Sequence, residues 1–124
     1  MQAVSYSKSK IDRAGKLLAS GEVVVNDIEN EWNKIFDWWR EIHLTPLTEV
    51  TLKLIEWLQE LDSSIIINQR LKRKPQIIKK LRRKPTMRLS QMRDIGGCRA
   101  VFESNRKLEE ALSLIQSKVA KSKY

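Results

Sequence analysis

Between Ser9 and Ser20 the apolar residues Ile11, Ala14, Leu17 and Leu18 recur three and four apart, the spacing of one helix face, and Gly21 supplies a stop. From Asn26 or Asp27 a second stripe runs through Ile28, Trp32, Ile35, Phe36, Trp39 and Ile42, which predicts a helix that ends before Pro46, with Trp38 beside the stripe. Thr45 can cap and Pro46 can open a third helix. Its face is drawn by Leu47, Val50, Leu54, Trp57, Leu58 and Leu61, and the pattern extends to about Asn68. The tryptophans share their spacing with Ile and Leu, so they read as core rather than as base-stacking platforms.

Lys74 or Pro75 to Lys84 forms a short helix with Ile77, Ile78 and Leu81 on its apolar side, ended by Pro85, and Ser90 caps one turn through Asp94. After Gly96-Gly97, Cys98, Ala100 and Phe102 alternate with Arg99 and Val101, which is the period of a strand. Ser104 then caps a last helix with Leu108, Ala111, Leu112, Ile115 and Val119 on one face, before a basic, polar tail from Lys118 to Tyr124. The pattern is therefore α+β and mostly helical. A lone strand leaves both edges unpaired, so it needs a partner: Val23–Val25, another chain, or the rest of a larger domain, which is the favoured reading. An unpartnered strand also predicts a polypeptide that is only partly stable or self-associates.

Charge changes the picture more than composition does. At 124 residues, 41% apolar and 31% charged, the chain suits a single soluble domain. It carries a formal +9, yet Arg70–Arg99 sets twelve Lys/Arg against the single acid Asp94, so the rest of the chain is slightly acidic. A field confined in this way attracts a polyanion, either a nucleotide triphosphate or a nucleic-acid backbone. No apolar run approaches the roughly 18 residues of a membrane span, and the N-terminus lacks a secretory h-region, so a cytoplasmic protein is expected. The one cysteine, Cys98, and the one histidine, His43, offer neither a disulfide nor a zinc site. Cys98 reads as a buried, inert thiol, and His43 as a helix-end residue meeting the last carbonyls.

Arg70-Leu71-Lys72-Arg73-Lys74-Pro75-Gln76-Ile77-Ile78-Lys79-Lys80-Leu81, followed by Met87-Arg88-Leu89-Ser90-Gln91-Met92-Arg93-Asp94-Ile95-Gly96-Gly97-Cys98-Arg99-Ala100-Val101, resembles the opening half of the RelA/SpoT alarmone synthetase domain. The likeness rests on an Arg-x-Lys with a second lysine eight residues on, then an Asp-Ile-Gly-Gly-x-Arg turn into a strand, and it covers about Trp57 to Ile115. It divides the chain into a helical extension, 1–56, like that of small phage-associated or toxin-like members, and an ATP-side half of the synthetase core, 57–124.

The resemblance implies a nucleotidyltransferase-like mixed sheet flanked by helices. The implied activity is transfer of the β,γ-pyrophosphate of ATP to the ribose 3′-hydroxyl of GDP or GTP, part of guanosine tetraphosphate metabolism, or in a toxin-like subgroup to the 3′ end of tRNA. By matched position, Arg70 and Arg99 hold adenine, Lys72 and Lys80 contact phosphates, and Asp94 binds Mg²⁺. Gln76 stands where the family carries a phosphate-contacting serine. Each role suits its chemistry. Arginine stacks on a base while keeping its charge, lysine follows phosphate oxygens as a point charge, and Mg²⁺ takes a hard carboxylate. Gly96-Gly97 admits close backbone approach.

The resemblance places the catalytic glutamate, a guanine-stacking tyrosine and a Gly-Tyr…His segment in a second half beyond Tyr124, and neither Tyr6 nor Tyr124 sits in that context. No general base is assigned here, and the chain is expected to be a truncated or split member, inactive alone and able to pair with that half. The competing reading is a non-enzymatic, nucleic-acid-binding basic module, whose binding falls steeply with salt and tolerates many sequences.

Overall fold

The computed structural model describes residues 5–121. The elements are α1 (Lys8–Ser20), α2 (Glu31–Glu41), α3 (Leu44–Leu61), β1 (Ile66–Leu71), α4 (Lys74–Arg83), a 3-10 turn (Leu89–Gln91), β2 (Gly96–Val101) and α5 (Asn105–Lys121). They form two compact units from interleaved stretches. One takes the described residues up to Leu44 with Leu71–Gly96; the other takes Thr45–Arg70 with the described residues from Gly97 onward.

In the first unit α1 packs on α2, α4 and the 3-10 turn. Ser7 caps α1 by accepting the Lys10 N–H at 3.2 Å, and Gly21 closes it at φ 83°, a left-handed conformation glycine adopts without cost. Asn30 caps α2, so the helix starts later than its apolar stripe predicts. The stretch before it is held instead by the Asn33 amide, which donates to the carbonyls of Val24 and Asp27 at 2.8 Å each. Ile28 is consequently exposed. Leu18, Ile35, Phe36, Ile77, Leu89 and Ile95 interlock in the core, and full burial of each is worth about 1.5–3 kcal/mol. Trp32, Trp38 and Trp39 pack against this cluster. Gly15 allows the closest approach, since a Cβ there would stand 2.7 Å from Leu89 Cβ.

The second unit holds the largest departure from the sequence pattern. Helix α3 begins at Leu44 and stops at Leu61, not near Asn68. Asp62 ends it: its Oδ1 accepts the Ser64 N–H at 2.9 Å and the Ser64 hydroxyl at 2.7 Å, a local turn that competes with helix. The β-branched Ile65-Ile66-Ile67 then enters β1, which is the partner the lone strand lacked; Val23–Val25 is not. The Lys72 N–H donates to the Ile95 carbonyl, joining the end of β1 to the start of β2, so the pair is antiparallel.

Alternation from that bond sets Ile67, Cys98 and Ala100 on one face, where with Leu54 and Leu58 of α3 and Ala111 and Ile115 of α5 they line an apolar cavity of about 190 Å³. Ser104 caps α5 through the Lys107 N–H at 3.2 Å. Ala111 is buried, whereas Leu108, Leu112 and Val119 on the same helix remain exposed. Cys98, expected buried, is exposed; its Sγ lies 2.9 Å from the Thr51 hydroxyl. No helix among the described residues is long and apolar enough to cross a membrane.

Candidate functional site

Of the residues singled out by sequence, Lys72, Gln76, Lys80 and Asp94 lie in the first unit, and Arg70 and Arg99 in the second. Lys72 follows the last residue of β1. Its carbonyl accepts the Arg40 Nε–H at 2.7 Å, a clamp from α2 that fixes its backbone. Lys80 sits in the last turns of α4, one turn beyond the exposed Gln76 and on the same face. Asp94 lies in the segment between the 3-10 turn and β2.

The two ammonium groups meet on one oxygen. Lys72 Nζ donates to Asp94 Oδ2 at 2.7 Å and Lys80 Nζ at 3.0 Å. Their side chains are 18% and 19% exposed and that of Asp94 is 51%, so the lysine stems are covered while the carboxylate faces solvent. The hydrogen bond from Lys72 is the main cause that lowers the Asp94 carboxyl from 3.8 to about 2, with Lys80 adding to it against a partial desolvation. Asp94 is therefore ionised throughout the neutral range. Two cations against one anion leave the cluster a net positive charge, able to attract a phosphate while keeping an acid at its lip.

Lys74 belongs to the structure rather than to this site. It bridges Asp37 Oδ1 at 2.7 Å, donates to Asn33 Oδ1 at 2.8 Å and stands 5.3 Å from the centre of the Phe36 ring. His43 ends α2 as expected, its Nδ1–H donating to the Trp39 carbonyl at 2.7 Å. Ser90 does not cap a turn; its N–H goes to Asp12 Oδ1 at 2.9 Å, and its hydroxyl is buried without a partner among the described residues.

In the second unit, the register set beside Ile95 puts Arg70 of β1 and Arg99 of β2 on one face of the ribbon, and both are exposed. Gly96 and Gly97 are strand residues rather than a turn, and neither has a positive φ. The space where a Gly97 Cβ would stand is open.

Mg²⁺ is the metal the resemblance implies. Among the described residues no group of three or more His, Cys, Asp or Glu side chains could enclose an ion. Asp94 would be the one protein carboxylate to hold such an ion, leaving the rest of its shell to phosphate oxygens and water. Arg40 is the positioning residue that sequence reasoning missed, and no local signal marks it. No protein-family model and no curated protein matches the chain.

Proposed function

We propose that the chain supplies ATP-side recognition in a RelA/SpoT-type pyrophosphokinase, on a nucleotidyltransferase-like framework, serving transfer of pyrophosphate to a ribose 3′-hydroxyl of GDP or GTP. The observation that carries this reading is the convergence of Lys72 and Lys80, eight residues apart, on Asp94 Oδ2 at 2.7 and 3.0 Å. A basic run forming only a solvated helix face gives no reason for two of its lysines to share one acid.

Lys72 and Lys80 hold phosphate oxygens, exchanging the Asp94 carboxylate for the triphosphate. Asp94, released from one or both ammonium groups, remains charged at neutral pH and would donate an oxygen lone pair to a metal ion. Mg²⁺ held there would supply neutralisation of phosphate charge. Arg70 and Arg99 offer guanidinium planes for adenine. No residue of the chain is assigned the general base, so the reading concerns binding and orientation.

Calorimetric titration with ATP at fixed Mg²⁺ tests it. Lys72→Ala is expected to weaken binding and to reduce the preference for triphosphate over monophosphate. Arg99→Ala is expected to reduce discrimination for adenine, and Arg83→Ala, on the basic run but at no matched position, to change little. Equal losses in all three would mean a diffuse basic patch and would defeat the site assignment.

A further inference from the structure

Leu81 is buried in the first unit, and its neighbours Lys80 and Arg82 project from opposite flanks of α4. Lys80 turns to Asp94; Arg82 turns to α1, where its Nε–H donates to the Ala19 carbonyl at 2.8 Å. On that second flank α1, the end of α4 and the loop through Thr86 enclose a cleft of about 730 Å³. Its walls carry Arg13, Lys16, Arg82 and Arg88 against one acid, Asp12. The acid is already engaged by the Ser90 N–H at 2.9 Å.

Two of the four cations are held in place before any ligand arrives. Arg13 lies 5.4 Å over the Trp32 ring, and Arg82 is fixed through its Nε–H, one of the five N–H donors of its guanidinium. The close approach of α1 at Gly15 to Leu89 keeps the two walls at a set spacing.

We infer that this cleft is a second anion site, separate from the Lys72–Lys80–Asp94 cluster, that takes a small molecule carrying two or more phosphoryl groups. Three observations select that occupant. The volume falls in the range of about 300–1,000 Å³ typical of small-ligand sites. Three of the four cations are arginines, whose fork matches phosphate oxygens two at a time. Among the described residues no aromatic side chain lines the cleft, so they offer no stacking platform of the kind a single-stranded nucleic-acid channel uses, while Leu81 and Met87 offer apolar surface to the rest of a small ligand.

The test is calorimetry of the full chain with inorganic tripolyphosphate in the absence of Mg²⁺. Lys16→Gln combined with Arg88→Gln removes two exposed charges and is expected to weaken cleft binding by about ten-fold or more. Thr86→Trp fills the cleft without altering charge and is expected to weaken binding comparably, with the helical circular dichroism of each variant confirming the fold. Lys72→Gln with Lys80→Gln removes the phosphate contacts of the proposed ATP site, and the tripolyphosphate binding that remains in this variant should still be lost on adding Thr86→Trp, so failure of the proposed ATP site and failure of the cleft are separable.

Unchanged binding by the Thr86→Trp variant would overturn the proposal. So would an equal loss from Lys79→Gln with Arg83→Gln, which removes the same charge elsewhere on α4. Displacement of tripolyphosphate by a single-stranded oligonucleotide that itself depends on Arg88 would also overturn it, in favour of a nucleic-acid surface.

Discussion

The unit built on α1, α2 and α4 and the unit built on α3, α5 and the β-ribbon use similar amphipathic helices to different ends. In the first, Ile11, Ala14 and Leu18 of α1 meet Ile35 and Phe36 of α2 and Ile77, Ile78 and Leu81 of α4, and all are buried. In the second, Trp57, Leu58 and Ala111 are buried, while Leu52, Ile66, Val101, Leu108 and Leu112 stay exposed. An apolar stripe is thus a necessary condition for a core and not a sufficient one. Three helices converging on a turn close the first unit, whereas two helices and a two-stranded ribbon leave apolar surface over in the second.

The sharpest way to break this comparison is Phe36→Ala, which empties the centre of the first unit and should cost about 3–5 kcal/mol of stability in urea denaturation. Leu112→Ser, at a position 51% exposed on α5, should change stability by no more than about 0.5 kcal/mol. Similar losses from the two would show that the second unit is covered in solution.

Gly15→Ala tests how tightly the first unit is drawn together. Its new Cβ meets Leu89 Cβ at 2.7 Å rather than the end of a flexible side chain, and about 1–3 kcal/mol of destabilisation is expected, against the usual gain from replacing glycine in a helix. Ser104→Ala removes the cap of α5 and should cost about 0.5–2 kcal/mol. Its measurement by native-state hydrogen exchange should show the loss in α5 amides and not in α1 amides.

The smallest effect is electrostatic and lies in the acid range. The folded-state carboxyl of Asp94 titrates at about 2 against an ordinary 3.8. The unfolded chain therefore takes up this proton more readily than the folded one. Stability from the lysine contacts is fully present above the ordinary value and is lost as pH falls from there through about 2. Asp94→Asn should flatten the pH dependence of the melting temperature across that window. Asp62→Asn should flatten it too, because hydrogen bonds from Ser64 lower the Asp62 carboxyl, and that variant should loosen the turn after α3 instead.

Periodicity read along the chain was enough for α1 with its Gly21 stop, for α4 between Pro75 and Pro85, for the strand after Gly96 and for α5 behind Ser104, because helix spacing, caps and breakers act within a few residues. It did not single out Lys72, Lys80 and Asp94, which entered as candidates through the resemblance alone. It misread 62–68, where Ile65-Ile66-Ile67 prolongs the apolar pattern of α3 with no glycine or proline to interrupt it; only pairing with β2 made that run a strand. It placed Cys98 in a core that the ribbon does not close.

The tertiary structure alone decided which lysines meet Asp94, why Lys74 is spent on Asp37 and Asn33, and how Arg13 and Lys16 come to face Arg82 and Arg88. Those pairs lie far apart along the chain. The meeting of Arg13 and Lys16 with Arg82 and Arg88 depends on how α1 packs against α4, which is set by the summed burial of many side chains and by the space at Gly15, and no local pattern of residues carries that information.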